Sequence, residues 1–192
     1  MPADGGPMKV VQHLPKIQTA FAFVSDDGKW LYFRANDVKP NSYAIYRWNV
    51  DTRQKETLLT EPGLWSVADY RDDGTLLLAK ATGSLTSEYW EWAPTTRKLT
   101  AILGQEKPEE YSAVYGASPG QLLVLTPKLG EFRRLCRYEA GKLTPLTGEL
   151  KWDVSGFSVD EAKSRVLYTV NEAGYTKLFA LDARSLQPVA LP

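Results

Sequence analysis

Gly116-Ala117-Ser118-Pro119-Gly120 spells G-x-S-x-G, the spacing that holds a serine on a sharp turn where its hydroxyl can attack an acyl carbon. That chemistry needs an oxyanion donor and a base. The residue after the serine supplies the donor through its backbone N–H, and here it is Pro119, which has none. The base is a histidine that follows the serine and an acid in chain order, whereas the sole histidine, His13, lies upstream. Ser118 is therefore read as a turn residue. His13, with no nucleophile to serve, is read as a residue of a solvent-edged strand. No catalytic residue is expected in this chain.

Asp26-Asp27, Asp72-Asp73 and Asp160-Glu161 offer the oxygens that calcium takes, but adjacent carboxylates lack the alternating spacing of a calcium loop. They are read as turn formers, and neither a metal nor a cofactor is expected. Cys136, the only cysteine, excludes an internal disulfide and a multi-thiolate metal site; it is read as a small buried hydrophobe.

The 192 residues, 43% hydrophobic and 24% charged, are ordinary globular material of one-domain size. Lys plus Arg and Asp plus Glu both number 23, so net charge draws the chain to neither nucleic acid nor anionic lipid. Apolar runs of four to six residues are far short of the roughly 20 that cross a bilayer. The N-terminal stretch "MPADGGPMKVVQHLP" lacks a basic patch followed by an apolar run, so no signal peptide is read and the cytoplasm is favoured over the periplasm.

The elements that hold all these residues come from a repeat. "VSDDGKWLYFRAN" returns as "YRDDGTLLLAKA", and Gly28, Gly74 and Gly120 stand at intervals of 46 and 46. Leu31, Leu77, Leu123 and Leu167 follow at 46, 46 and 44, which adds a fourth copy. Trp48, Trp92, Tyr138 and Leu181 occupy comparable third runs, and Leu59, Leu103, Leu146 and Leu191 close the copies at intervals of 44, 43 and 45. Counting back 45 residues lands on Leu14, so residues 8–14 are read as a leading strand left over from an earlier copy.

Within each copy, runs of five to eight residues rich in Val, Leu, Tyr, Trp and Phe alternate with Asp-Gly or Thr-Arg clusters, which are strand and hairpin signals. No helical period is sustained. Four short antiparallel strands repeated every 43 to 46 residues are the signature of β-propeller blades. The reading is an all-β chain, one propeller-type domain over 1–192, with four four-stranded blades at about 17–60, 63–103, 110–147 and 152–192. Four blades either close as a small ring or stay an open arc whose bare end faces would pair two chains into a homodimer.

The stretches "FVSDDGKWLYFRAN", "IYRWNVDTRQKETLLT", "RRLCRYEAGKLTPLTGELKWDVSGF" and "YTVNEAGYTKLFALD" resemble the propeller of bacterial prolyl-oligopeptidase-family serine peptidases, and more distantly TolB-type propellers. The resemblance implies a non-catalytic propeller portion that gates and docks peptide substrates for a hydrolase domain lying outside this chain. Peptide or hydrolase domain would then be the partner. The other reading is a free-standing propeller that binds a protein partner through its loops. In dipeptidyl peptidases of the wider family a glutamate pair from the propeller holds the substrate's amino terminus, which makes Glu109 and Glu110 substrate-binding candidates. Trp30, Trp48, Trp65, Trp90, Trp92 and Trp152 recur at blade-equivalent places and are read as packing between blades. Trp65 and Trp152, both early in a first strand, are kept apart as further substrate-binding candidates.

Overall fold

The computed structural model describes residue 5 and residues 8–191. It is all-β, built from four-stranded antiparallel repeats. The first holds β1 (Thr19–Val24), β2 (Trp30–Lys39), β3 (Ser42–Asn49) and β4 (Lys55–Leu59). The second holds β5 (Leu64–Tyr70), β6 (Leu76–Ala81), β7 (Ser87–Ala93) and β8 (Lys98–Leu103). The third holds β9 (Ser112–Tyr115), β10 (Leu122–Thr126), β11 (Arg134–Glu139) and β12 (Lys142–Pro145). The fourth holds β13 (Val154–Val159), β14 (Arg165–Glu172), β15 (Tyr175–Asp182) and β16 (Pro188–Val189). The chain divides into two compact units, Met1–Val67 and Ala68–Pro192.

In the first unit, residues 8–14 form no strand, which corrects the expected leading strand. The segment instead lies on the face of the first blade: Val11 and Ile17 pack against Phe33, Ala35, Ala44 and Tyr46. The Gln12 amide reaches Thr19 Oγ1 at 3.4 Å and Asp37 at 3.5 Å, and Lys55 donates to Gln12 Oε1 at 3.2 Å. Satisfying an apolar face needs two anchors and no ladder, so a length of chain with the right period does not have to be extended into a sheet. His13, expected in that strand, is an exposed loop residue.

In the second unit, β10 is buried along its whole length. Alternate residues of a strand point to opposite faces, and here each face has a neighbour. Leu122 and Val124 join Leu77, Tyr89 and Leu103 of the preceding blade, while Leu123 joins Val166 and Leu181, and Leu125 joins Val154 and Val170, of the following one. Fully burying one such side chain contributes about 1.5–3 kcal/mol, which is why "LLVLT" shows no polar alternation.

The turns between first and second strands carry a left-handed residue in every copy: Gly28 (φ 70°), Gly74 (φ 83°), Gly120 (φ 73°) and, in the fourth, Lys163 (φ 47°). An aspartate braces three of them. Asp73 accepts from the Thr75 N–H at 2.8 Å, Asp27 from Lys29 at 3.0 Å, and Asp160 from Ser164 and Arg165, both at 2.7 Å. These bonds favour the charged carboxylate. The Thr75 amide above all holds Asp73 below the ordinary 3.8, and the side chains of Ser25 and Ser164 lead the same effect at Asp27 and Asp160. In the first hairpin an extra residue, Lys29, follows the glycine before the closing Ser25 N–H to Trp30 O bond, whereas the second closes at Arg71 and Thr75. Tyr32, not Leu31, is thus the true equivalent of Leu77.

Gly28 and Gly148 both have open space where a Cβ would stand, but only Gly28 has a positive φ. Gly28→Ala should therefore cost about 1–2 kcal/mol from backbone strain alone, and Gly148→Ala should be close to neutral. Urea unfolding of the two variants checks this, and equal losses would contradict it. The turn carboxylates set a pH dependence as well. Their folded pKa values lie below the unfolded one, so their contribution is complete above about pH 4 and is lost as pH falls through the folded values. Thermal melts from pH 7 to pH 2 should show the midpoint falling below pH 4, less steeply in Asp73→Asn.

Candidate functional site

Antiparallel order sorts the loops of the second unit into two ends. Connections between second and third strands, and from one blade to the next, share the first end: residues 82–86, 104–111, 127–133, 146–153 and 173–174. Turns between first and second and between third and fourth strands share the other.

Glu109 and Glu110 stand at the first end, just before β9, and the structure engages rather than frees them. Glu110 bridges to Thr86, and its carboxylate is 3.4 Å from the Arg133 guanidinium. Arg133 is held from the other side by Asp153, whose carboxylate accepts the Arg133 backbone N–H at 2.6 Å. Val154 N–H then donates to Arg133 O at 3.0 Å, so the trio ties the third blade to both of its neighbours. Glu109 accepts from the Glu110 N–H at 3.1 Å and stays half-exposed. Close by, Lys128 lies over the Tyr111 ring at 5.8 Å; that tyrosine, then Glu106 and Glu109, raise its pKa. Arg133, Asp153 and Lys128 carried no sequence signal, because none recurs in the repeat.

Behind this end the blades are joined by a buried hydroxyl. Tyr89 Oη donates to Tyr111 O at 3.2 Å and accepts the Ala113 N–H at 3.1 Å, and burial raises its pKa. Toward the other end Asp69 accepts the Tyr115 N–H at 2.8 Å, Tyr115 Oη donates to Glu91 at 3.1 Å, and Arg71 pairs with Glu91 at 3.3 Å while stacking on the Tyr115 ring at 4.0 Å. Burial first, and Glu91 next, raise the Tyr115 pKa.

The two tryptophan candidates part company. Trp65, in the first unit, is 1% exposed and donates its indole N–H to Glu61 O at 2.9 Å. It offers no face to a ligand, and its reading as a binding residue is corrected to packing. Trp152 is 42% exposed in the loop that enters β13. Ser118 lies in the turn from β9 to β10, a strand-to-strand hairpin and not a strand-to-helix elbow, closed by Gly116 N–H to Gln121 O at 2.9 Å. A Cβ at Gly116 would meet Gln121 Oε1 at 2.3 Å, so that glycine answers to packing. Burial pushes the Cys136 thiol up to about 11, a protonated and unreactive state. Among the described residues no three His, Cys, Asp or Glu side chains gather as a metal site, and no helix is long and apolar enough to cross a membrane.

No family model and no curated protein matches the sequence. Solved structures do match the fold. TolB from Acinetobacter baumannii aligns with 91% of this chain at 17% identity and a TM-score of 0.66, over 44% of its own length. A putative dipeptidyl aminopeptidase IV from Bacteroides ovatus aligns with 94% at 14% identity and 0.66, over 36% of its length. A prolyl endopeptidase aligns with 100% at 14% identity and 0.61, over 38% of its length. The fold of the chain is that of a run of β-propeller blades, part of a propeller such as these structures contain, and the residues described above are blade-to-blade contacts and loop ends. The chain spans less than half the length of each of the three.

Tyr89→Phe should leave the Tyr111 C=O and Ala113 N–H without their partner in a dry interface and cost about 1–3 kcal/mol. Tyr138→Phe, which loses one bond to Ile102 O from a half-buried position, should cost less. Chemical denaturation of both variants gives the comparison, and a smaller loss for Tyr89→Phe would count against the hydroxyl as the stronger tie.

Proposed function

We propose that this chain is the non-catalytic propeller portion of a prolyl-oligopeptidase-family serine peptidase, which gates and docks peptide for a hydrolase domain outside it. The observation that carries the reading is the alignment of its full length with part of a prolyl endopeptidase. The chemistry of Ser118 agrees: Pro119 supplies no oxyanion donor and the hairpin presents no elbow. Of this set, the half-exposed Glu109 and the exposed Trp152 are the residues proposed to meet a peptide; Glu110 is committed to Arg133. The flat faces of the first and fourth blades expose Phe21, Val24 and Leu178, and the proposal extends to pairing of two chains through them.

A second reading, a free-standing interaction module, draws support from the exposed apolar loop residues at the first end. The reading frame on either side of the coding region separates the two. Further blades followed by a strand–turn–helix nucleophile elbow support the peptidase reading, and a natural stop after Pro192 overturns it.

The chain alone should release no product from peptide p-nitroanilides or from simple esters, with Ser118→Ala indistinguishable from the parent. Turnover that Ser118→Ala abolishes would overturn the assignment.

A further inference from the structure

Arg133 and Arg134 are neighbours in sequence with opposite fates. Arg133 is held between Glu110 and Asp153. Arg134, the first residue of β11, meets no hydrogen-bond acceptor, carboxylate or ring through its guanidinium among the described residues. Its Nε is shut off from solvent without a partner, although the residue as a whole is only half-buried. An arginine does not lose its proton in a protein, so it cannot escape the cost of an unpaired buried donor by turning neutral.

A second unpaired group stands beside it. The Leu146 N–H donates to Leu135 O at 2.9 Å, which carries the antiparallel pairing of β11 and β12 one step past Pro145 and sets Thr147 opposite Arg134. Leu135 and Leu146 both pack with Leu123, Val166 and Leu181, toward the fourth blade. Side chains alternate along a strand, so Arg134 and Thr147 take the other face. Thr126, opposite Arg134 on its β10 side, lies on that face too, in step with Val124. Thr147 is 5% exposed, and its hydroxyl has no partner either.

A cationic fork and a hydroxyl side by side lack an anionic acceptor. The cover over the fork is a surface loop: a Cβ added at Gly130 would stand 3.9 Å from both Nε and Nη2, and Lys128, Leu129, Gly130 and Glu131 are all exposed. The planar fork matches a carboxylate through two parallel hydrogen bonds. The surrounding loops add no net field, since the exposed Glu106, Glu131 and Glu149 are balanced by the exposed Lys107, Lys128 and Lys151. One cation in balanced surroundings suits a single negative charge, which selects a carboxylate over a phosphate dianion.

We infer that Arg134 and Thr147 form a carboxylate-binding site beneath the loop between β10 and β11, where the guanidinium fork and the Thr147 hydroxyl donate to the bound oxygens. The carboxylate comes from a polypeptide, at its C-terminus or on an acidic side chain, or from a small free acid. The inference goes beyond the proposed function and does not depend on a hydrolase domain.

The test titrates the 15N-labelled full chain, at constant ionic strength, with sodium acetate, with inorganic phosphate, and with three short N-acetylated peptides. One has neutral side chains and a free C-terminus, one is the same peptide amidated, and one is amidated and carries a glutamate. Acetate and at least one carboxylate peptide should shift the amides of residues 126–134 and 146–148 and the Arg134 Nε–H, and the neutral amidated peptide should not. Arg134→Gln should fold and lose at least about tenfold in affinity, with Arg134→Lys and Thr147→Val each showing part of that loss. Those two milder variants carry the test if Arg134→Gln does not fold. A peptide that binds more tightly than acetate assigns the source to polypeptide, and equal binding assigns it to a free acid. Phosphate acting on the same amides at lower concentration than acetate, shifts confined to other residues, binding undiminished in the variants, or no response to any carboxylate would overturn the inference. In each of these cases the hydrolysis assay still stands as the separate test of the proposed function.

Discussion

A propeller blade is apolar on both faces, and everything else in the second unit follows from the need to cover both at once. β10 shows the constraint most plainly, since its even residues serve one neighbour and its odd residues another. A strand so placed has no solvent side, and one residue of slippage would not merely expose it but exchange its partners. The polar groups that must accompany apolar burial are spent at the seams. The Tyr89 hydroxyl, the Asp69 carboxylate and the Glu110–Arg133–Asp153 trio each join one blade to the next, so the seams are held in direction as well as by contact.

The first unit meets the same requirement with different material. The face formed by Phe33, Ala35, Ala44 and Tyr46 takes Val11 and Ile17 from an irregular segment, and Gln12, Asp37 and Lys55 close over it with polar bonds. The Tyr46 hydroxyl donates to Asp37 at 2.6 Å, and burial followed by that carboxylate raises its pKa. A face of this kind therefore accepts either a sheet or a strap, provided that apolar volume arrives in the right place.

The four-stranded repeats were readable because turn chemistry recurs: Gly28, Gly74 and Gly120 all take the left-handed conformation that their spacing implied. The fourth copy replaces that glycine with Lys163, where Asp160 braces the turn, so the glycine pattern ends while the geometry continues. Period alone misplaced residues 8–14, because spacing cannot distinguish a strand from a strap that covers the same face. It also set Leu31 beside Leu77, although the inserted Lys29 puts Leu31 on the face covered by Val11 and Ile17, while Leu77 packs with the third blade. At the candidate site the glutamate pair was visible as residues but its commitment was not. The partner of Glu110, Arg133, lies 23 residues away in a loop of irregular length. Trp65 and Trp152 looked alike in sequence; burial, a property of tertiary neighbours, separated them.

Strand pairing in this chain is almost entirely between immediate neighbours in sequence, joined by connections of a few residues. Closing such short loops takes little chain entropy, so each meander can form on its own shortly after its last strand is available. The seam groups come together only when two meanders meet. During synthesis the chain would thus acquire its hairpins in order, N-terminal first, and acquire its dry interfaces one blade behind. A nascent blade waiting for its successor exposes one apolar face for the time needed to translate about 45 residues, several seconds at ordinary elongation rates. During that interval the uncovered face is open to misassociation.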